Sequence, residues 1–335
     1  MLRVGVLGAG FMGGTHARAY HGLPDVEVVA IYAPSERRGG PLAAELSAVW
    51  TDDLDRVLGD ESIDAVSVCL PTPEHRPVTE AALVAGKHVL LEKPIALTLA
   101  DADALVALAA ASDHTVMVAH VLRFWPEYVE LQRLVSAGAL GAPLSALATR
   151  RQPFPAWSTL FARSDLTGGA VVDMMIHDFD ALNWLFDAPR SVLAHGHLNP
   201  RSGGWDQTQV VVDYGAASAL VDGGMMMPES YPFSSSLQVL CERGAVEYHF
   251  RAGGRSVEMG GGVNDLIVYP ADGDSVRMEV EQRDPYAAEV AYFVDCLITR
   301  RPALRATPED ARLALRVALA AHESLVQGDG VLVTP

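Results

Sequence analysis

A glycine-rich turn near the amino terminus is the strongest local constraint in this chain. Gly8 and Gly10 lie between the apolar run Leu2–Leu7 and the stretch Met12–His21, whose apolar residues have helical spacing, and Gly13 is the second residue of that stretch. At a strand-to-helix junction, the first glycine permits a tight turn, the second lets a phosphate approach the backbone, and the third allows close helix packing. The N–H groups expected to face such a phosphate, aided by the helix dipole, are those of Phe11, Met12 and Gly13.

The first 120 residues alternate between two hydrophobic periods. The short apolar runs are Leu2–Leu7, Val26–Tyr32, Ala65–Leu70, His88–Leu91 and Thr115–Ala119. The stretches with helical spacing between them are Met12–His21, Arg37–Ser47, Arg76–Ala85 and Leu99–Ala111. This alternation predicts βαβ units, and strands that are apolar throughout predict a parallel sheet covered by helices on both faces. We therefore expect a doubly wound, dinucleotide-binding Rossmann domain over residues 1–121.

The pattern changes after Pro126. Helical spacing returns at Pro126–Ala137 and about 170–186, and short β runs punctuated by Gly, Asn, Asp and Pro occupy about 192–281. Two closing helices are predicted near Ala287–Thr299 and Pro308–Gln327. We expect a second, α+β domain over residues 122–335 with a large, open, mostly antiparallel sheet. The closing helices are candidates to pack back on the first domain.

Composition excludes several classes of protein. A length of 335 residues favours two domains, and a net charge of −17 disfavours nucleic acid and anionic membranes as partners. The three scattered cysteines argue against a disulfide framework, and Cys69 is interpreted as a small buried hydrophobe. His195 and His197 would share a strand face, but no further ligand is spaced to complete a metal site. No basic segment followed by an apolar stretch opens the chain, so we expect a cytoplasmic protein.

The end of the second apolar run bears on the choice of cofactor. NAD-binding proteins commonly place an acidic residue there to bind the ribose hydroxyls, but this chain has Ala33. Ser35, Arg37 and Arg38 follow, and a hydroxyl with guanidinium groups suits a 2′-phosphate. These residues favour NADP over NAD. The alternative is that both arginines are solvated residues at the start of a helix.

The loop after the run Ala65–Leu70 also lies at the carboxyl edge of the predicted sheet. It can cover the ribose next to the nicotinamide. The residues expected to contact the cofactor there are Pro71, Thr72 and His75. His75 is equally compatible with a helix start that has no function.

The motif Glu92-Lys93-Pro94 follows the run His88–Leu91. It places a lysine at the same edge, next to a proline that restricts the backbone. Lys93 could donate a hydrogen bond to a substrate hydroxyl or to the carbonyl formed from it. Partial burial would suit the lysine for proton transfer. Glu92 and Lys93 are therefore candidate cofactor-binding residues, and Lys93 is also a candidate catalytic residue.

The segment Gly168–Asp178 provides a second candidate for acid–base chemistry. Asp173 and His177 are four residues apart, so they would share one face of a continuous helix. A histidine beside a carboxylate is a plausible proton-transfer unit, although such a pair is more often a structural hydrogen bond. Asp178 and Asp180 would lie on other faces as solvated or capping groups.

Taken together, these motifs resemble the Gfo/Idh/MocA oxidoreductase family, which includes glucose–fructose oxidoreductase, inositol dehydrogenase and rhizopine-catabolism proteins. The resemblance spans nearly the whole chain, and Asp173–Asp180 is most similar to inositol dehydrogenases. The segments that carry it are Gly8–Gly13, Pro71–His75, Ala85–Val89, Glu92–Pro94, Arg123-Phe124 and Gly168–His177.

The resemblance implies NAD(P)-dependent hydride transfer at a secondary alcohol of a sugar, inositol or related polyol. It implies an active site formed by Lys93, Asp173 and His177, with either Lys93 or His177 as the base. It also implies that the open sheet forms oligomer contacts, in a homodimer or homotetramer. Weaker candidates for the substrate pocket are Arg123, Trp125, Trp157 and Tyr286. Two alternatives remain, a glycoside hydrolase of this fold that uses NAD and a non-catalytic NADP-sensing protein.

Overall fold

The computed structural model describes residues 1–253 and 262–333. The chain divides into two compact units. The first unit combines Met1–Phe124 with Arg283–Arg312, and the second combines Trp125–Gln282 with Leu313–Pro335. Each unit therefore contains a late segment of the chain as well as an early one. Among the described residues, no helix is both long and apolar enough to cross a membrane.

The first unit contains a six-stranded sheet in the order β3-β2-β1-β4-β5-β6, with every pair parallel. Its strands are β1 (Leu2–Leu7), β2 (Val26–Tyr32), β3 (Val49–Thr51), β4 (Ala65–Val68), β5 (His88–Glu92) and β6 (Val116–Ala119). The predicted Rossmann sheet is confirmed. Because the strands are parallel, all of them end at one edge, which carries the glycine turn and Lys93.

Helices alternate with these strands. They are α1 (Phe11–His21), α2 (Glu36–Leu46), α3 (Leu54–Leu58), α4 (His75–Val84) and α5 (Leu99–Ala111), joined later in the chain by α10 (Pro285–Thr299). The strand β3 and the helix α3 were not among the predicted elements. Both are short, and α3 begins where the Asp53 side chain accepts the N–H of Asp55.

The core of the first unit lies where α1 and α10 cover one face of the sheet. Val4, Ile31, Tyr20 and Phe293 are fully buried in one apolar cluster. Burial of large apolar side chains from both segments explains why Arg283–Arg312 belongs with the amino-terminal unit.

The second unit contains a nine-stranded sheet in the order β14-β13-β12-β11-β7-β10-β9-β8-β15. Within the described residues, only the pair β7–β10 of this sheet is parallel, so the predicted, mostly antiparallel open sheet is confirmed. The strands are β7 (Pro143–Pro153), β8 (Ser191–Leu198), β9 (Trp205–Asp213), β10 (Ser218–Met227), β11 (Ser234–Cys241), β12 (Gly244–Arg251), β13 (Val263–Pro270), β14 (Val276–Arg277) and β15 (Val331–Leu332).

The two faces of this sheet differ in burial. Along β9, Val210 and Val212 are fully buried while Val211 is 48% exposed. Leu220 on β10 and Leu240 on β11 are likewise exposed. This alternation is typical of an antiparallel sheet with one packed face and one open face.

Four helices of the second unit precede β8 in the chain. They are α6 (Pro126–Ser136), α7 (Ser164–Thr167), α8 (Gly169–Asp173) and α9 (Ile176–Phe186). The long closing helix α11 (Pro308–Gln327) contributes its first residues to the first unit and its residues from Leu313 onwards to the second.

Candidate active site

The glycine turn fits a dinucleotide phosphate. Gly8 has a φ of +112°, and a side chain there would overlap the carbonyl of Cys69, while a Cβ on Gly13 would overlap the carbonyl of Gly8. Both glycines are therefore required by the fold itself. Gly10 differs, because a Cβ there would meet no atom of the described residues within 4 Å. The open space over Gly10 lies at the start of α1, which has no acidic residue in its first turn, and this helix end suits an anion.

The end of β2 carries the residues predicted to select the cofactor. Ala33 is buried, and its carbonyl accepts a hydrogen bond from the Trp50 indole at 3.2 Å. Ser35 precedes α2 without capping it through its side chain. Arg37 and Arg38 are both exposed in the first turn of that helix. Two guanidinium groups and a hydroxyl thus lie beside a strand end that carries no carboxylate, and Glu36 adds one acidic group to the same first turn of α2.

Lys93 is half-buried immediately after β5, and its peptide bond to Pro94 is cis. The preceding Glu92 is buried, and its Oε2 accepts the main-chain N–H of Lys93 at 3.0 Å. Its Oε1 forms a 3.0 Å ion pair with Nε2 of His16, a fully buried residue of α1. The Nδ1 of His16 lies 2.7 Å from the Ser67 hydroxyl on β4.

The charges in this network are coupled. Burial works against a charged carboxylate, but His16, joined by the nearby Lys93, outweighs it and lowers the pKa of Glu92. Burial likewise opposes a charged imidazole, but Cys69 and Glu92 raise the pKa of His16 well above its usual value. Both shifts favour a charged, buried pair directly beside the lysine.

His75 supports the same segment from the other side. Its ring is buried, with Nδ1 2.9 Å from the carbonyl of Pro94 and Nε2 3.0 Å from the carbonyl of Leu70. Burial is the main cause that lowers its pKa. These contacts join the loop after β4 to the segment after β5. Pro71 is exposed and Thr72 half-buried in that loop, where Thr72–Glu74 form a 3-10 turn.

The interpretation of Cys69 as a small buried hydrophobe in an apolar strand run is wrong. The strand β4 ends at Val68, and Cys69 is only partly buried. Its sulfur lies 3.6 Å from Nδ1 of His16. The apolar run read from the sequence extends past the strand, and Cys69 still donates its N–H to the carbonyl of Leu7, the last residue of β1.

In the second unit, Asp173 and His177 do not lie on one continuous helix. The helix α8 ends at Asp173 and α9 begins at Ile176, with a turn at Met174 and Met175. The N–H of His177 bonds to the carbonyl of Met174 at 3.4 Å, rather than to that of Asp173. Both side chains are partly buried. The segment predicted as one helix over about 170–186 is therefore two.

Tertiary contacts fix this interruption. The Thr208 hydroxyl lies 2.8 Å from the sulfur of Met175. Asp206, fully buried on β9, accepts hydrogen bonds from the N–H of Ala170, the amide of Asn199 and the hydroxyl of Ser202. The carboxylate of Asp206 thus caps α8, which carries Asp173.

Asp178 and Asp180 were predicted to be solvated or capping groups, and the prediction of solvation is wrong. Asp178 is 1% exposed and Asp180 is fully buried. The Asp178 carboxylate accepts two hydrogen bonds from the guanidinium of Arg150 on β7, at 2.8 and 2.9 Å. Burial opposes the charge on Arg150, but Asp178 overcomes it and raises the pKa of the guanidinium. This bidentate pair fastens α9 to the sheet.

The weaker pocket candidates lie in different surroundings. Arg123 is buried and pairs with Asp310 at 3.1 Å, which gives it a contact within the fold of the first unit. Trp125 packs edge-on against Phe250. Trp157 is 72% exposed, and Tyr286 is half-buried near the start of α10.

Sequence reasoning missed His16. Its position carried a usable signal, because it lies on the same helical face as Gly13 and Tyr20, three residues before and four after it. A histidine on a buried helix face requires partners for its ring nitrogens. Those partners, Ser67 and Glu92, lie on β4 and β5, far from His16 in the sequence, so the spacing of residues could not identify them.

Comparison with known proteins agrees with this arrangement. Residues 2–120 match the family model described as "Oxidoreductase family, NAD-binding Rossmann fold", and residues 128–247 match "GFO/IDH/MocA C-terminal domain". The chain belongs to the Gfo/Idh/MocA oxidoreductase family. Its first unit is a nicotinamide-cofactor-binding Rossmann fold, as the sequence resemblance implied.

Individual relatives extend over most of the chain. Inositol 2-dehydrogenase 4 of Saccharopolyspora erythraea is 31% identical over 256 residues, which cover 73% of each chain. The scyllo-inositol 2-dehydrogenase (NAD(+)) of Bacillus subtilis is 27% identical over 342 residues, 98% of this chain and 95% of the relative. Among solved structures, GenD2 from gentamicin A biosynthesis, in complex with NAD, is 26% identical with a TM-score of 0.86, covering 100% of this chain and 97% of that one.

Proposed function

We propose that this protein is a dehydrogenase that moves a hydride between a nicotinamide cofactor and a secondary alcohol of a polyol, such as an inositol or a sugar. The observation that carries the proposal is the lysine held at the carboxyl end of β5, at the sheet edge where the glycine turn can bind a dinucleotide. The relatives named as inositol 2-dehydrogenases support the substrate class.

Lys93, Asp173 and His177 are the proposed catalytic residues. The bound nicotinamide would accept or return the hydride. Lys93 would donate a hydrogen bond to the reacting oxygen and stabilise negative charge on it as the alcohol becomes a carbonyl. His177 would take the hydroxyl proton, and Asp173 would orient the substrate or the histidine. The assignment of the base to His177 rather than Lys93 is part of the proposal.

NADP is the proposed cofactor, with NAD as its competitor. The support is local, because Ala33 replaces an acidic residue at the end of β2 and Arg37 and Arg38 are exposed beside it. The name of the Bacillus subtilis relative specifies NAD(+), which argues for the competitor. Among the other loop residues, Pro71 and Thr72 are proposed to contact the cofactor directly. His75 would act through the backbone that it holds.

The open face of the second unit's sheet is the proposed contact between copies of this chain. Val211, Leu220 and Leu240 are exposed on neighbouring or nearby strands of that face. Exposed apolar side chains grouped on one surface are typical of an interface. A homodimer or homotetramer is the expected assembly, and the molar mass in solution tests it.

The test of the proposed function is a parallel titration of the purified protein with NADPH and NADH, followed by a screen of inositols and sugars. Tighter binding of NADPH and substrate-dependent reduction of NADP⁺ would support the proposal. Tighter binding of NADH would transfer the cofactor assignment to NAD. Cleavage of a glycoside with no net change in the cofactor would replace the dehydrogenase with the hydrolase. Binding of neither cofactor would refute the proposal.

A further inference from the structure

A buried imidazole stands behind the proposed catalytic lysine. His16 is fully buried on α1, the helix that begins at the phosphate-binding turn. Its Nε2 contacts Oε1 of Glu92 at 3.0 Å, and Oε2 of the same carboxylate accepts the main-chain N–H of Lys93 at 3.0 Å. One carboxylate therefore joins the imidazole directly to the backbone of the lysine.

The other ring nitrogen is also engaged. Nδ1 of His16 lies 2.7 Å from the hydroxyl of Ser67, near the end of β4. β4 and β5 are neighbours in the sheet, with Val68 opposite Leu91. The imidazole thus lies between the ends of two adjacent strands, with a polar atom within 3.0 Å of each ring nitrogen.

Stability alone does not explain this pair. Replacing a buried ion pair by apolar side chains of similar volume is often neutral or stabilising, because charges lose their hydration on burial. Val68 and Leu91, near the ends of the two strands, show that apolar side chains are fully buried in this part of the sheet. The carboxylate of this pair accepts the main-chain N–H of Lys93, and a charged hydrogen bond of this kind restrains the direction of that N–H. An apolar contact cannot do so.

We infer that His16 is a positioning residue for the reaction, which holds Lys93 in its working orientation through the carboxylate of Glu92. The inference rests on the proposed function, in which Lys93 touches the substrate. It also gives α1 a second role, since the helix that binds the phosphates would position the lysine as well.

The first experiment introduces the substitution His16→Leu into the full-length protein. It measures kcat and KM with the polyol and cofactor identified by the screen of inositols and sugars. We expect kcat to fall at least tenfold, while KM for the cofactor changes less than threefold. If His16→Leu does not fold, Glu92→Gln replaces it in this experiment. That variant keeps the shape of the side chain, and we expect the same fall in kcat. The matched control is His88→Leu, because His88 lies at the opposite end of β5 from Glu92. Its kcat should stay within twofold of the wild type.

A double-mutant cycle separates positioning from general damage. In a Lys93→Ala background, His16→Leu should lower the residual kcat less than twofold further, because the group on which it acts is gone. The same tenfold loss in both backgrounds would overturn the inference. A Lys93→Ala variant with wild-type turnover would instead refute the proposed role of Lys93, and the inference would fall with it.

Amide hydrogen exchange tests the contact without turnover. In His16→Leu, the N–H of Lys93 should exchange at least tenfold faster than in the wild type, and in His88→Leu it should not. Unchanged exchange at Lys93 in His16→Leu would overturn the inference while leaving the proposed function intact.

Discussion

Replacing Gly10→Ala should weaken cofactor binding without harming the fold. The backbone at Gly10 has φ −80° and ψ −166°, which an alanine adopts without strain, and the added Cβ would lie more than 4 Å from every atom in the part of the chain that the structure describes. Loss of chain freedom in the unfolded state should even stabilise the protein by up to about 1 kcal/mol. The new methyl group would occupy the space through which a pyrophosphate approaches the start of α1. We expect the Kd for NADPH to rise at least tenfold, or about 1.4 kcal/mol.

The assay is a fluorescence titration of Gly10→Ala together with a denaturant unfolding curve. Gly22→Ala is the matched control, because Gly22 ends the same helix and its added Cβ would make only ordinary contacts, the nearest at 3.5 Å. Its Kd should stay within twofold of the wild type. Gly13→Ala should unfold the protein, since its Cβ would overlap the carbonyl of Gly8. A wild-type Kd in Gly10→Ala would refute the assignment of the turn to phosphate binding.

Three further predictions concern single side chains. Arg38→Ala should lower the ratio of NADPH to NADH affinity at least tenfold, and an unchanged ratio in the same titration would remove that residue from cofactor selection. Asp178→Asn should lower the free energy of unfolding by about 3 to 5 kcal/mol, because Arg150 would keep a buried charge without its partner; a loss below about 1 kcal/mol in urea unfolding would contradict this. The pKa of His16 is raised by Cys69 and Glu92 against the effect of burial, and the pKa of Glu92 is lowered by His16 against the same effect. The ion pair should therefore stabilise the folded protein fully between about pH 4.3 and 6.5, the ordinary pKa values of glutamate and histidine. The stability lost in Glu92→Gln should shrink as the pH rises through the raised pKa of His16 or falls through the lowered pKa of Glu92, whereas a loss independent of pH would speak against the charged pair.

Periodicity was sufficient to predict the Rossmann sheet. Strands such as β1 and β2 are short apolar runs followed by segments whose apolar residues have helical spacing. This contrast can be read from neighbouring residues in the sequence. The strand β3 escaped prediction because it has only three residues, Val49–Thr51, too few to establish a period. The glycine turn was recognisable because two of its glycines are demanded by the backbone itself.

The second unit shows where local patterns fail. No proline or glycine marks the break at Met174 and Met175, which is fixed by contacts such as that of Thr208 with the sulfur of Met175. Asp178 reads as a solvated residue until Arg150, 28 positions earlier in the chain, is seen beside it. A contact with a residue on a distant strand cannot be predicted from the spacing of neighbouring residues. The role of His16 was missed for the same reason.

The most direct test of the central claim is to follow the hydride itself. An inositol that carries deuterium on its secondary alcohol carbon would be incubated with the wild-type protein and NADP⁺ or NAD⁺, and the reduced cofactor would be analysed by mass spectrometry. We predict a reduced cofactor heavier by one deuterium, formed by the wild type and at least a hundredfold more slowly by Lys93→Ala. A cofactor that stays oxidised with every polyol offered, or one reduced without deuterium, would contradict the account.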